Sequence, residues 1–294
     1  MENNKKSLVI DGNYLMFQSF YATYRGEGSL ILSNSFGVPT NAIQAFMMQF
    51  LKLIKFVRPD SIFVAFDAKG PTKRHEIFSE YKSGRTKAPD ILYPQFDWIK
   101  RILSGLNVVW QEKLGDEADD LIATYCSKVN GKKYVFSADN DLLQLVDENV
   151  TILRKDKTNY KEINKDNFFQ IFKFLPNQLT SYKGLKGDSS DNLPGVFGIG
   201  EKTAISLLEK YNNFENIYKN LENNSDLTKS VKNKLINGYQ TGLMSYNLSI
   251  LNCDVENFET NLEFYKLQLN YNNAMDILME LELSVVINEL RKNF

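Results

Sequence analysis

Two short apolar runs end in aspartate. SLVIDG (residues 7–12) reads as a buried strand closing on Asp11, and SIFVAFD (61–67) as a second one closing on Asp67. Between them, NAIQAFMMQFLKLIKFV (41–57) keeps mostly apolar members three and four residues apart, the spacing of a helix. The alternation then repeats. Residues 92–104 read as helix, NVVW (107–110) as a short strand, and GDEADDLIATYCSKV (115–129) as an amphipathic helix with acids in its first turn. KYVFSADNDLLQLV (133–146) reads as strand, acidic turn and helix, and VTIL (150–153) as one more strand. Strands alternating with helices predict an α/β domain with a mainly parallel sheet flanked by helices over residues 1–175. Residues 176–294 read as mainly helical.

Several classes drop out. No run of 18 apolar residues exists to form a transmembrane helix, and the apolar run near the N-terminus is too short for a signal peptide. Cys126 and Cys253 lie in apolar contexts without a CxxC pair, which reads as two buried, reduced thiols of a cytosolic protein. The single histidine, His75, leaves no His-based triad, and no GxxxxGK[ST] pattern offers a P-loop.

The acids are the richer signal. Asp11 and Asp67 end strands, and Asp139 and Asp141 follow one. In a parallel sheet such ends share the edge where α/β active sites form. Glu117, Asp119 and Asp120 open a helix that can point at that edge; Glu117 and Asp120 share a face, with Asp119 about 100° away from Asp120. Asp188 and Asp191 form another i, i+3 pair. One aspartate at a helix start is ordinarily a cap, and Asp116 reads that way. The group differs, because two like charges about 4 Å apart cost on the order of 4 kcal/mol at an effective dielectric of 20. Divalent cations relieve that repulsion, and all-oxygen ligands select hard ions, Mg²⁺ or Mn²⁺. Two of them would suit phosphodiester chemistry.

Two further stretches suit a polyanion. Lys69, Lys73, Arg74, Lys82, Arg85 and Lys87 are interleaved with Phe78 and Tyr81, which reads as a phosphate-gripping, base-stacking element. Its plain alternative is a solvated charged face. In this stretch His75 reads as a structural or phosphate contact. GVFGIG (195–200) precedes the helical EKTAISLLEKY, so Gly195, Gly198 and Gly200 form a turn of N–H groups opening a helix whose first turn carries Lys202 and Thr203. Two helices around such a turn resemble the helix-hairpin-helix class of DNA-binding elements. The net charge of −1 conceals a division of labour: nine of the 36 acids are candidate ligands, and the other 27 face 35 Lys and Arg. The rest of the chain is therefore basic, as a DNA-binding face requires.

The motifs LVIDGNYL, FGVPTNAIQAF, FVAFDAKGPTKRHE, YKSGR, DEADDLIA, FSADNDLLQLV and KGLKGDSSDNLPGVFGIGEKTA run in this order from residue 8 to about residue 210. Together they resemble the 5′→3′ exonuclease (flap endonuclease) domain of bacterial DNA polymerase I, expected here as a stand-alone chain or as a piece of a longer one. The resemblance implies a PIN-like nuclease core with a helical arch near 69–89 and a helix-three-turn-helix DNA clamp at about 180–211. It implies that Asp11, Asp67, Glu117, Asp119, Asp120, Asp139, Asp141, Asp188 and Asp191 hold two divalent cations. Lys82 and Arg85 would steady the scissile phosphate, Arg74 would contact the strand, and the clamp turn can hold a monovalent cation such as K⁺. Implied substrates are DNA with 5′ flaps or ends and RNA–DNA primers, handled by a cytoplasmic, nucleoid-associated monomer beside a separate DNA polymerase. One departure is Gln18, where many relatives carry an arginine. Rival readings are a catalytically inactive DNA junction-binding module, a phosphohydrolase of small esters, for which a DNA clamp has no use, and a single-strand RNase.

Overall fold

In the computed structural model, which describes residues 5–26, 28, 30–221 and 227–293, the first apolar run lies inside a six-stranded sheet. Strand β1 (Lys6–Asp11) pairs in parallel with β2 (Ser61–Ala65) on one side and β4 (Lys132–Phe136) on the other. β3 (Val109–Gln111) and β5 (Val150–Asp156) extend the sheet in parallel. β6 (Asn159–Ile163) closes it antiparallel to β5, giving the order β3-β2-β1-β4-β5-β6.

Side chains alternate along a strand, so a run apolar throughout must be covered on both faces. Val9, Phe63, Val135 and Ile152 enter one core, and Leu8, Ile10, Ile62, Val64, Phe136 and Leu153 enter the other. Helices α1 (Gly12–Thr23), α2 (Asn41–Val57) and α4 (Tyr93–Gly105) cover the second face. Helix α5 (Ala118–Lys128) covers the first.

The structure departs from the sequence reading in places. β2 stops at Ala65, so Asp67 lies two residues beyond the strand. Residues 69–89 hold one five-residue helix, α3 (Lys73–Ile77), and a series of turns where a helical arch was expected. Gly70, Pro71 and Gly84 in that stretch are poor helix formers. β6 had no apolar signature, because NYKEI is mostly solvent-facing edge strand.

The second half begins with α6 (Lys165–Phe172) and α7 (Leu179–Lys186). A 14-residue connection then leads into α8 (Glu201–Tyr211), followed by α9 (Phe214–Lys219), α10 (Lys229–Asn237) and α11 (Tyr239–Ser249). α7 and α11 cross closely: a Cβ on Gly184 would lie 2.8 Å from the Tyr246 Cβ and 3.2 Å from the Gly242 carbonyl oxygen. α12 (Tyr271–Glu280) and α13 (Ser284–Asn293) return to pack on α4 and α2, with Ala274, Leu278, Val286 and Leu290 in the second core. The helical half is thus sewn into the α/β half at its far end.

Candidate active site

The parallel arrangement delivers acids to the carboxyl edge of the sheet. Asp11 ends β1 and caps α1: its carboxylate accepts from the Tyr14 N–H (2.8 Å) and the Ser137 hydroxyl (2.7 Å). Asp67 accepts from the Ala118 N–H at the start of α5 (2.8 Å) and from the Asn13 amide (2.7 Å). Asp119 lies in the first turn of α5, and Asp139 three residues past β4. These four acids line one cavity of about 260 Å³, with Asn13, Tyr14, Lys82 and Arg85 also in its wall.

The cavity holds more negative charge than its surroundings neutralise. Burial, opposed by the Tyr14 and Ser137 hydrogen bonds and reinforced by Asp67 and Asp139, pushes Asp11 up to about 7. Burial, then Asp139 and Asp11, raises Asp119 well above the usual carboxylate range. Burial also raises Asp67 and Asp139. Desolvated, mutually repelling carboxylates of this kind are relieved by a bound cation or a proton.

A second group lies beside the first. Asp141, Asp188 and Asp191 place carboxylate oxygens within 4.8 Å of one another. Asp141 opens a 3₁₀ turn (Asp141–Leu145), while Asp188 and Asp191 sit in a tight turn after α7, bridged by the Asp188–Leu193 backbone pair. Lys183 of α7 donates to the Asp141 carboxylate and stands 2.5 Å from Asp188 Oδ2. Burial opposes ionisation of Asp188, but the Lys183 ammonium and the Ser190 hydroxyl and N–H bring it down to about 2. Lys183 was not legible as a site residue: a lysine inside a helix ordinarily reads as solvated.

Glu117 and Asp120 part company. Glu117 is the N-cap residue of α5 and accepts from Lys82 Nζ (2.8 Å) and the Thr72 hydroxyl (3.2 Å), beside the cavity. Asp120 is turned away from it. Arg74 forks onto both its oxygens (2.8 Å each), and it also accepts from the N–H groups of Glu117 (3.0 Å) and Asn252 (2.8 Å). These four hydrogen bonds occupy the carboxylate, and ion pairing and N–H bonds hold it ionised against burial. Arg74, expected on the strand, is buried instead; its remaining donors go to the carbonyls of Leu248 and Ile250 (3.0 Å each), with Glu117 3.4 Å away.

Neighbouring expectations change for the same reason. Asp116 is not the cap; its carboxylate is buried and accepts from Lys73 Nζ (2.7 Å). Tyr81, read as a stacking platform, is 3% exposed and packs with Leu193, Leu248 and the half-buried Phe78, so its ring is not presented to a base. His75 Nδ1 bonds the Thr72 hydroxyl (2.9 Å) and serves the turn. Arg85 remains half-exposed, with its guanidinium 2.8 Å from Asp191. Gln18 donates to the Tyr14 hydroxyl (2.5 Å) at the cavity wall. Cys126 is buried and Cys253 half-buried, both as free thiols, and burial pushes Cys126 up to about 12.

Helices α7 and α8 flank the glycine turn. Gly195 has φ +61°, and a Cβ there would fall 2.2 Å from the Gly187 nitrogen, so only glycine fits. Gly198 (φ +80°) lies under Lys234, whose ammonium donates to its carbonyl (3.1 Å), and Gly200 is the N-cap residue of α8. Lys202 is exposed and Thr203 half-buried in the first turn of α8; Phe197 stands out from the turn, 92% exposed.

Residues 6–173 match the family model of the 5'-3' exonuclease N-terminal resolvase-like domain, and residues 174–273 that of the 5'-3' exonuclease C-terminal SAM fold. The chain is 37% identical to a 5'-3' exonuclease of Mycoplasmopsis pulmonis, covering 92% of this chain and 88% of that protein. It is 36% identical to a 5'-3' exonuclease of Aquifex aeolicus, covering 99% and 96%. It is also 37% identical to DNA polymerase I of Bacillus subtilis over 86% of this chain, but spans only 28% of that protein. The fold is shared with bacteriophage T5 D15 flap endonuclease in a complex with DNA and metal ions, at a TM-score of 0.68 and 20% identity, covering 95% of this chain and all of that one. It is shared too with the catalytic core of Rad2 in complex with DNA substrate, at a TM-score of 0.57 and 18% identity, covering 95% and 93%. By both family models and by its relatives along nearly its whole length, the chain belongs to the 5'-3' exonuclease family.

Proposed function

We propose that this nuclease removes 5′ ends and 5′ flaps from DNA, and RNA–DNA primers, by divalent-cation-dependent phosphodiester hydrolysis. The observation that carries the reading is the convergence of Asp11, Asp67, Asp119 and Asp139 on one cavity, with Lys82 and Arg85 in its wall.

The donor set fits hard divalent ions such as Mg²⁺ or Mn²⁺: it is all oxygen, buried and under-neutralised. Asp11, Asp67, Glu117, Asp119 and Asp139 would hold one ion, and Asp141, Asp188 and Asp191 a second. When bound, such ions lower the pKa of water and stabilise the oxygens of an in-line displacement. Asp120 leaves the ligand set and becomes a positioning residue, because Arg74 occupies it.

The protein's own groups do the rest. Lys82 and Arg85, now paired with Glu117 and Asp191, would turn to the scissile phosphate and offset the charge that grows on it. Asp11 and Asp67 are held in place by Tyr14, Ser137, Asn13 and Ala118, so the cradle is built before substrate arrives. Gly195, Gly198 and Gly200, with Lys202 and Thr203, would grip the backbone of the duplex beyond the cut. For a monovalent ion such as K⁺ in that turn the fit is poorer, since the Gly198 carbonyl already accepts from an ammonium, and no step is assigned to it. Among the described residues no helix is long and apolar enough to cross a membrane. The reading places the protein in the cytoplasm near the nucleoid, as a monomer beside a DNA polymerase.

The test is cleavage of a DNA duplex labelled on its 5′ flap, in Mg²⁺ and then in EDTA. Junction cleavage that vanishes in EDTA and in Asp139→Ala, with flap binding retained, is expected. Tight flap binding without product in Mg²⁺ or Mn²⁺ would replace the nuclease by a binding module.

A further inference from the structure

The Asp141, Asp188 and Asp191 group already contains a cation. Lys183 is 4% exposed, and its ammonium sits between Asp141, from the turn after β4, and Asp188, from the turn after α7. The two carboxylates come from different elements and meet at this one point. With Asp191 they are close enough to share a single small ion. The ammonium therefore stands where an ion held by these three acids would have to approach.

Three features separate this lysine from a plain core ion pair. Its stem is flexible and its charge compact, so it can leave without rearranging backbone. It also lines a groove of about 540 Å³ together with Asp188, Lys186, Tyr182 and Phe172, which gives the ammonium an exit. The third acid, Asp191, is held by Arg85, itself half-exposed at the rim. Every acid of the group thus has a protein cation on it, and both cations have somewhere to go.

We propose that Lys183 is a resident counter-ion of the second cation site, occupying it in the metal-free protein and withdrawing into the groove when a divalent ion binds. The inference rests on the reading of Asp141, Asp188 and Asp191 as ligands. Binding is then an exchange, one ammonium out and one divalent ion in. The second ion binds more weakly than its three carboxylates alone would dictate, because the vacated state is only a fraction of the population. At the first cavity the cation Lys82 pairs with Glu117 at the edge, and among the described residues no lysine or arginine is ion-paired with Asp11, Asp67, Asp119 or Asp139, so most of that ligand set has no resident counter-ion.

The experiment is a Mn²⁺ titration of the full chain, counting free ion by electron paramagnetic resonance, with Lys183→Met and Lys183→Arg beside the parent. We expect one tighter and one weaker ion in the parent. In Lys183→Met the weaker ion should bind about tenfold more tightly, as it would if the ammonium held the site about nine-tenths of the time. Lys183→Arg should keep the site weak. Thermal unfolding gives a second readout: Mn²⁺ should raise the melting temperature of Lys183→Met more than that of the parent. If Lys183→Met is unfolded without metal, refolding by Mn²⁺ supports the exchange. Failure to refold at any Mn²⁺ concentration makes Lys183 a structural residue and overturns it. An isotherm for Lys183→Met equal to or weaker than the parent's overturns the exchange and leaves the ligand reading standing. Absence of bound Mn²⁺ in parent and variants overturns both.

Discussion

Removing Arg74 should unfold the protein more readily while leaving its cation sites intact. The side chain is buried and makes two 2.8 Å bonds to Asp120 and two 3.0 Å bonds to the carbonyls of Leu248 and Ile250. It thereby ties α3 to α5 and to the end of α11. Arg74→Met keeps much of the stem's volume but strands a buried carboxylate, a change that typically costs about 3–5 kcal/mol. For a chain of 294 residues unfolding as one unit, that corresponds to a fall in melting temperature on the order of 5–8 °C. Arg74→Met/Asp120→Asn should recover part of the loss, because the stranded charge is gone while an amide oxygen still accepts from the Glu117 or Asn252 N–H. The assay is urea unfolding in EDTA, followed by the fluorescence of Trp98 and Trp110, for parent, both single variants and the double. A cost below about 1 kcal/mol for Arg74→Met would refute the argument, since that is the range of an exposed pair. So would an Asp120→Asn variant of parental stability that binds Mn²⁺ poorly, because Asp120 would then be a ligand after all.

Two further outcomes follow from the geometry. Asp11 is raised to about 7 in the fold, chiefly by burial, above its usual 3.8, so the native state binds a proton more tightly than the unfolded chain does. Stability of the metal-free protein should therefore fall as pH rises between those values; melting in EDTA should be higher at pH 5.5 than at 7.5, by about 2 kcal/mol in stability. The depressed Asp188 acts only below pH 4, outside that window; a flat or inverted profile counts against the buried-charge account. Gly195→Ala places a Cβ 2.2 Å from the Gly187 nitrogen at φ +61°, and should weaken duplex binding about tenfold or more, measured by fluorescence anisotropy with Ca²⁺ in place of Mg²⁺. Parental affinity would show that the turn does not hold the backbone.

Much of this site could be read from the sequence because strand ends obey a simple rule. Asp11, Asp67 and Asp139 follow apolar runs that, alternating with helices, read as parallel strands, and parallel strands end together. The same logic does not choose between adjacent acids on a helix. Asp119 and Asp120 differ by about 100° around α5, and which one faces the cavity depends on where Arg74 lies, a residue 46 positions away from Asp120 in the chain. The basic stretch misled for a related reason. Charge and aromaticity suggested an exposed gripping element, yet Arg74 and Tyr81 are drawn inward by acids brought by α5 and by the turn after α7. Lys183 lay beyond sequence reasoning altogether, as its partners come from a 3₁₀ turn and a tight loop that meet only in three dimensions.

The return of α12 and α13 to the first half has a consequence for how the chain is made. Helix α4, complete at Gly105, keeps part of its inner face without a neighbour until Tyr271 and the residues after it have been synthesised. The sheet can assemble early from local βαβ units, but one of its two cores is sealed only by α12 and α13, which are synthesised after all of its strands. Helices α7 to α11 are bracketed between two stretches anchored in the same body, in the manner of a loop pinned at both ends. Their freedom to swing against the acids is consequently limited by the seam that α12 and α13 make with α4 and α2.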